Sequence, residues 1–236
     1  PHGTDTDPSG EYIIGSGKLA AIIPVFSFTK MLAAIENQDF EGTLDGMPVL
    51  KYESVLHGEV EKPGLGPLHT EFDGKGNAYT SMFVSSEIVK WNIETLEVLD
   101  RVPTYYSVGH LSIPGGPTGK PHGKYMVAYN KITKDRYLPT GPELAQSAQI
   151  FDISGDKMEL VLDFPTIGEP HYAQAAPADL IRNNGQIKFY KIGDNNHPFV
   201  AKGEKEAKVV RKGNRVDVWM TSIRSHFAPD NIEGVK

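Results

Sequence analysis

Residues 66–102, GPLHTEFDGKGNAYTSMFVSSEIVKWNIETLEVLDRV, carry the pattern that decides the fold. A short turn leads to His69, and a Gly-rich turn at residues 73–76 precedes a strand with Tyr79 near its start. Two further strands are predicted at residues 86–93 and 98–102. Several short strands per unit, separated by turns, are typical of a β-propeller blade. The stretch therefore predicts an all-β fold.

The same turn-to-strand pattern occurs before and after this stretch. A turn at residues 7–10 precedes a strand at 11–16, and the pattern returns at residues 120–128. Further strands are predicted at residues 22–28, 148–153 and 158–163. Two segments interrupt the pattern, because residues 29–40 favour a short helix and residues 134–149 favour a loop.

Four histidines occupy equivalent positions in these units. They are His2, His69, His110 and His171. Each closes a short turn sequence ahead of predicted strands, at intervals of 67, 41 and 61 residues, close to one propeller blade plus insertions. Side chains at the starts of successive blades converge on the propeller axis, and neutral imidazole is the commonest protein ligand for transition metals. The pattern therefore predicts a multi-histidine metal site at the hub.

Composition excludes several classes of partner. The chain has 236 residues, a formal net charge of −6 and no run of five basic residues, so we expect no nucleic-acid partner. No apolar stretch approaches the length of about 18 residues that a membrane-spanning helix needs, so we expect no membrane partner. The chain has no cysteine, which excludes disulfides and thiolate ligands within it and leaves the redox compartment open.

The sequence predicts two domains joined by a linker. Residues 1–193 are assigned to propeller blades, and the polar residues 194–206 are assigned to a linker. Residues 207–236 begin a second β domain with a hairpin whose turn is formed by Gly213 and Asn214. The sequence starts at Pro-His without a signal peptide and ends just after a strand pattern, so we expect an internal fragment of a longer protein.

An ordered set of short motifs resembles a known family. The motifs are PHGTDTDPSG (1–10), GLGPLHT (64–70), GKGNAYT (74–80), VKWNI (89–93), KDR (134–136), DISGDKM (152–158) and EPH (169–171). Together they resemble nitrous-oxide reductases over essentially the whole chain. The insertion near residues 31–61 resembles the branch of that family often called atypical or clade II.

The resemblance implies a seven-bladed propeller followed by a cupredoxin domain, with this chain carrying the C-terminal blades and the truncated start of the second domain. It implies reduction of nitrous oxide to dinitrogen and water, the last step of denitrification, at a sulfide-bridged four-copper cluster held by seven histidines. Four of these are matched by His2, His69, His110 and His171. The other three, and a dinuclear copper site, lie outside this chain, which is therefore expected to be inactive and poorly metallated alone.

The same resemblance implies a cytochrome c or a small copper protein as the electron donor, a homodimer and a periplasmic location. Lys131, 21 residues after His110, matches a lysine beside the cluster, and is expected to stabilise negative charge on the substrate oxygen or to deliver a proton. Glu169, two residues before His171, matches a nearby carboxylate.

A calcium site is a further implication of the resemblance. Family members bind calcium through the backbone carbonyl of the lysine that matches Lys131 and through a later glutamate. The position of that glutamate is Gln146 in this chain, so a calcium site here depends on a substitute ligand such as Glu143.

Two other functions are compatible with a propeller, because this fold hosts many activities. A non-catalytic binding module predicts that the four histidines scatter over the surface. A calcium-dependent propeller hydrolase, such as a lactonase, predicts acidic residues at the hub. The remaining histidines lack the turn motif and are not expected to bind metal; they are His57, His122, His197 and His226.

Overall fold

The computed structural model describes six stretches of the chain and divides it into two compact units. The described residues are 2–116, 118–131, 146–166, 169–176, 200–223 and 226–233. The first unit lies within residues 1–181 and the second within residues 182–236. No helix in the described stretches is both long and apolar enough to cross a membrane.

The first unit begins with a four-stranded antiparallel sheet that contains an insertion. Its strands, in spatial order, are β1 Thr4–Thr6, β2 Tyr12–Gly15, β3 Ile22–Ser27 and β6 Leu56–Glu61. The insertion between β3 and β6 contains α1 Phe28–Glu36, the hairpin strands β4 Phe40–Leu44 and β5 Met47–Leu50, and α2 Tyr52–Val55.

The helix predicted at residues 29–40 is confirmed, with different ends. It begins after Ser27, because the hydroxyl of Ser27 accepts the backbone N–H of Lys30 and caps the first turn. It ends at Glu36, shortly before Gln38, whose φ of 55° is incompatible with a continuing helix. Residues 56–61, at the end of the insertion predicted near residues 31–61, form β6 and pair with β3.

Two complete sheets follow, each with its four strands in sequential order. The second sheet contains β7 Pro67–Phe72, β8 Asn77–Met82, β9 Glu87–Asn92 and β10 Val98–Pro103. The third contains β11 Val108–Ser112, β12 Tyr125–Asn130, β13 Ser147–Asp152 and β14 Glu159–Pro165. These pairings confirm the strands predicted from the turn-to-strand pattern. Residues 132–145 of the predicted loop lie outside the described residues, and the loop prediction is wrong for residues 147–149, which belong to β13.

The second sheet packs with one face against the first sheet and with the other face against the third sheet. Ala78 and Val89 contribute to a core shared with the first sheet, whereas Tyr79 and Ile88 contribute to a core shared with the third sheet. Because adjacent residues of a strand point to opposite faces, β8 and β9 must be apolar on both sides. Burying one large apolar side chain stabilises the fold by roughly 1.5–3 kcal/mol, and Trp91 is fully buried in the first of these cores.

The first strands of the three sheets lie side by side and form the hub, with β7 in contact with both β1 and β11. Gly3 shows how closely the backbones approach. A Cβ atom on Gly3 would lie 2.0 Å from the carbonyl oxygen of Leu68, and its φ is +85°. Only glycine satisfies both conditions, so this contact depends on the residue that follows His2.

The second unit contains two hairpins. The first has strands β15 Lys208–Lys212 and β16 Arg215–Trp219, with Gly213 at a φ of +60° in the turn, as predicted. The second has strands β17 Thr221–Ile223 and β18 His226–Ala228. Within the segment predicted as a linker, Ala201 is buried and its N–H donates to the carbonyl of Met220 in this unit. The assignment of residues 194–206 to a linker stays a prediction. Assignment of this unit to a cupredoxin domain stays a prediction.

Candidate metal centre

The four histidines of the turn motif lie at the hub of the first unit. His2 precedes β1, His69 lies within β7, and His110 lies within β11. His171 follows β14, in the extended segment at residues 169–176. Because β1, β7 and β11 are the adjacent first strands of their sheets, their histidines are brought together from distant parts of the sequence.

The imidazole rings form an unbroken row. The ring centroids of His2 and His69 are 5.2 Å apart, and those of His69 and His110 are stacked at 3.6 Å. The centroids of His110 and His171 are 5.1 Å apart. Tyr172 flanks the row, with its ring centroid 4.8 Å from that of His110. The four histidines are therefore clustered rather than scattered.

Two ring nitrogens in this row are buried and have no hydrogen-bond partner among the described residues. They are Nε2 of His69 and Nδ1 of His110. Burial lowers the pKa of His69 to about 3 and that of His110 to about 4, with the neighbouring histidines and Lys131 acting in the same direction. Both rings are therefore neutral at pH 7, and each carries one nitrogen lone pair. Neutral imidazole nitrogens without a partner fit copper, which favours this type of ligand.

No three His, Cys, Asp or Glu side chains in the described stretches surround a point suited to one metal ion. The described residues therefore do not form a mononuclear metal site by themselves. The row of single imidazoles instead resembles one wall of a larger site, in which neighbouring ions each take a small number of protein ligands.

Lys131 reaches the same cluster from the end of β12. Its backbone N–H donates to the carbonyl of Ser107, and its side chain is buried, with Nζ 3.3 Å from Nε2 of His171. The alkyl chain passes directly over Gly109, where a Cβ atom would lie 2.0 Å from Cε of Lys131. Burial lowers the pKa of Lys131, and Glu169 partly opposes this effect. A buried ammonium with a lowered pKa is a better proton donor than a surface lysine.

Glu169 contacts the other ring nitrogen of His171. Its Oε1 lies 3.0 Å from Nδ1, and both side chains are substantially exposed. A carboxylate at Nδ1 favours a proton on that nitrogen, which leaves the lone pair on Nε2. Glu169 and Lys131 thus contact opposite nitrogens of one ring and fix its orientation.

The residues matched to the calcium site do not fit a cation there. The side-chain amide of Gln146 donates from Nε2 to the backbone carbonyl of Lys131 at 3.0 Å. This hydrogen bond uses the carbonyl oxygen that a calcium ion would require, and it presents a donor where a second oxygen is needed. Glu143, the suggested substitute ligand, lies outside the described residues.

Gln146→Glu is expected to lower the free energy of unfolding by roughly 1–3 kcal/mol, because a carboxylate oxygen would then face the carbonyl oxygen of Lys131. Urea denaturation at pH 7 measures this loss. Gln146→Met, which removes the donor without adding a charge, serves as the milder control. Equal stability of Gln146→Glu and the wild type would contradict the assigned hydrogen bond.

Three histidines outside the motif are placed away from the row, and His197 lies outside the described residues. His57 lies in β6 and packs on Tyr12 with a ring-centroid distance of 4.7 Å. His122 is exposed. In the second unit, His226 is exposed and pairs with Glu204 at 3.2 Å.

Two acidic residues at the hub were not singled out as ligands by the sequence. Asp5 and Glu71 line a cavity of about 300 Å³ together with His69, His110 and Tyr172. Burial raises the pKa of Asp5 to about 6 and that of Glu71 to about 8. One signal was available for Glu71, because residues two apart in a strand point to the same face, and His69 precedes it by two positions.

Comparison with known proteins gives consistent results. The profile described as the nitrous oxide reductase propeller repeat matches residues 101–171. The nitrous-oxide reductase of Stutzerimonas stutzeri is 38% identical over 96% of this chain and 36% of its own length. That of Pseudomonas fluorescens is 36% identical over 94% and 36%, and that of Cupriavidus necator is 37% identical over 97% and 35%.

A chain in a crystal structure of the mitotic checkpoint complex has a similar fold, with a TM-score of 0.50, 12% identity, and coverage of 73% of this chain and 43% of that chain. At this identity the likeness concerns the fold alone. The chain spans about a third of the length of the nitrous-oxide reductases it matches. Residues 101–171 match the nitrous oxide reductase propeller repeat, and nearly the whole chain is similar in sequence to about a third of a nitrous-oxide reductase.

Proposed function

We propose that this chain forms part of the catalytic hub of a nitrous-oxide reductase, with His2, His69, His110 and His171 as ligands of a four-copper sulfide cluster. The observation that carries the proposal is the row of neighbouring imidazoles, in which the buried nitrogens of His69 and His110 have no partner among the described residues. The names of its relatives support the same reaction.

The remaining ligands are proposed to come from segments outside this chain. Seven histidines shared by four copper ions amount to fewer than two per ion, so no single ion needs three ligands from these strands. This agrees with the absence of a three-ligand site in the described part of the chain. The seven-bladed propeller, the cupredoxin domain, the homodimer, the periplasmic location and the cytochrome c or small copper protein as donor are proposals of the same kind.

The proposed reaction converts nitrous oxide, two protons and two electrons into dinitrogen and water. The cluster, when bound, supplies the copper centres that bind the substrate and donate the electrons. The protein contributes rigid strand ends at β7 and β11, which hold two of the imidazoles in fixed positions. Glu169 orients His171 by contacting Nδ1.

Lys131 is the proposed catalytic cation. Its Nζ lies beside the outermost imidazole of the row, 3.3 Å from Nε2 of His171. As the N–O bond breaks, negative charge develops on the departing oxygen, which an ammonium group stabilises and then protonates. The lowered pKa that burial gives Lys131 makes this proton easier to release.

Lys131→Ala in the full-length, copper-loaded protein is expected to lower nitrous oxide turnover by roughly 100-fold or more, since a positioned proton donor contributes about 10²–10⁴-fold. Copper content should stay near that of the wild type, because the imidazoles remain. Gas consumption with a reduced viologen dye measures turnover, and atomic absorption measures copper.

The matched control is Lys124→Ala, which removes an exposed lysine just before β12. Loss of copper in Lys131→Ala would assign Lys131 a structural role in holding His171. A fully copper-loaded wild type that consumes no nitrous oxide would contradict the proposed function itself. A binding module predicts scattered histidines, and the centroid distances of 3.6–5.2 Å along the row do not favour it.

A further inference from the structure

The insertion at residues 28–55 interrupts the first sheet, and the proposed copper site gives it no role. It starts at the end of the sheet away from the histidine row. The backbone N–H of His2 donates to the carbonyl of Ser16, so the turn between β2 and β3 lies beside His2. At the other end of these strands Tyr12 pairs with Ser27, and the insertion begins at the next residue. The start of the insertion is therefore separated from His2 by the length of β2.

Helix α1 of the insertion carries an exposed apolar stripe, formed by Phe28, Leu32 and Ile35. These residues follow the spacing i, i+4, i+7, which places them on one face of a helix. Their side chains are 47%, 53% and 53% exposed, whereas Ala34, on another face, is buried. The helix packs against α2 and β3, and the apolar stripe is left uncovered by the described part of the chain. An apolar helix face in contact with water is typical of an interaction site.

The charges of the insertion are mainly negative, and most of them are unpaired. Its two lysines are already engaged, since Lys51 pairs with Asp39 and Nζ of Lys30 donates to the carbonyl of Leu56 at 2.8 Å. Four further carboxylates are exposed and form no ion pair within the described residues; they are Glu36, Glu41, Asp45 and Glu53. Glu36 lies one helical turn beyond Leu32, at the end of the apolar stripe. The insertion therefore combines exposed apolar side chains with uncompensated negative charge.

We propose that the apolar stripe of α1 binds a partner protein through an amphipathic helix with basic flanks. A second helix with apolar anchors at the i, i+3, i+4 and i+7 positions matches such a stripe. Lysine or arginine beside these anchors complements the unpaired carboxylates. A symmetric contact with a second copy of this chain would instead bring the same carboxylates together. The same negative charge disfavours the anionic surface of a membrane.

A fluorescently labelled synthetic peptide of about 20 residues, long enough for about five helical turns, is the probe. It has leucines at the anchor positions and lysines on both flanks, and a matched peptide has glutamates in place of the lysines. Fluorescence anisotropy with the full-length protein at pH 7 measures the Kd of each peptide. The lysine peptide is expected to bind at least about tenfold more tightly than the glutamate peptide, and added salt should reduce this difference.

Variants of the stripe locate the bound peptide. Leu32→Gln and Ile35→Gln change exposed side chains, so both proteins are expected to fold, which circular dichroism checks. Each should raise the Kd of the lysine peptide at least about tenfold, because an apolar anchor contact is lost. Glu36→Lys should weaken binding of the lysine peptide and strengthen binding of the glutamate peptide. Leu99→Gln, which changes an exposed leucine on β10, is the control and should leave both Kd values unchanged.

Two further measurements test the other occupants of the stripe. Analytical ultracentrifugation compares the oligomeric state of the wild type with that of Leu32→Gln, and flotation with vesicles of phosphatidylcholine and phosphatidylglycerol tests membrane binding. Both are expected to show no difference between the two proteins. A change of oligomeric state would assign the stripe to a second copy, and vesicle binding that Leu32→Gln abolishes would assign it to a membrane; either result would overturn the proposal. Absence of saturable binding of the lysine peptide to the wild type, or equal binding to Leu32→Gln and Ile35→Gln, would overturn it as well.

Discussion

His110→Ala is expected to lower the copper affinity of the full-length protein by more than about 100-fold, since changes beyond the direct ligands of a metal already cost about 10–100-fold. His110 is central to the row, with stacked or tilted contacts to His69 on one side and His171 on the other. Its Nδ1 has no partner in the described structure, so the substitution breaks no hydrogen bond at that atom. Copper content after competition with a chelator measures the effect.

The fold should survive this substitution, which separates metal binding from stability. His122→Ala is the matched control, because His122 is an exposed histidine whose Nδ1 lies 3.4 Å from the carbonyl oxygen of Lys120. It should leave copper content unchanged. A His110→Ala protein that retains all its copper under the same competition would show that His110 is not a ligand.

Gly109→Ala is expected to destabilise the protein by roughly 1–3 kcal/mol, the usual effect of forcing an extra methyl group into a packed region. The new Cβ would lie 2.0 Å from Cε and 2.4 Å from Cδ of Lys131, so the lysine chain must move. Since that chain carries Nζ to His171, turnover should fall together with stability. Urea denaturation and the nitrous oxide assay measure the two effects.

A double-mutant cycle isolates the cause. In a Lys131→Ala background the colliding atoms are gone, so Gly109→Ala should cost much less free energy of unfolding than it does in the wild type. Gly42→Ala is the control for the substitution itself, because a Cβ on Gly42 meets nothing within 4 Å. An equal cost of Gly109→Ala with and without Lys131 would show that the lysine does not pass over Gly109.

The strands were predictable because the turns and apolar patterns that mark them lie within a few residues of each strand. The turn at residues 73–76 and the two-sided apolar pattern of β8 and β9 depend on neighbours a few positions away. The pairing of β6 depended on a long-range contact. Residues 56–61 carry no local mark of their pairing with β3, about thirty positions earlier in the chain.

In the candidate site, too, some features were predictable from local sequence and others depended on long-range contacts. His69 and His110 were predictable because each follows a turn and lies near the start of the first strand of its sheet. The contact of Lys131 with His171 depends on the chain of Lys131 crossing Gly109, which no spacing rule specifies. The hydrogen bond from the amide of Gln146 to the carbonyl of Lys131, where a cation was expected, could likewise be identified only from the three-dimensional positions of the two groups.

Anomalous diffraction at the copper edge, from crystals of the full-length, copper-loaded protein, tests the central claim most directly. We expect copper peaks within bonding distance of Nε2 of His69 and Nδ1 of His110, the two buried nitrogens without a partner in the described structure. We also expect His2 and His171 to border the same group of peaks. Copper bound elsewhere, with these two nitrogens facing only water or protein, would contradict the assignment of the histidine row as a copper site.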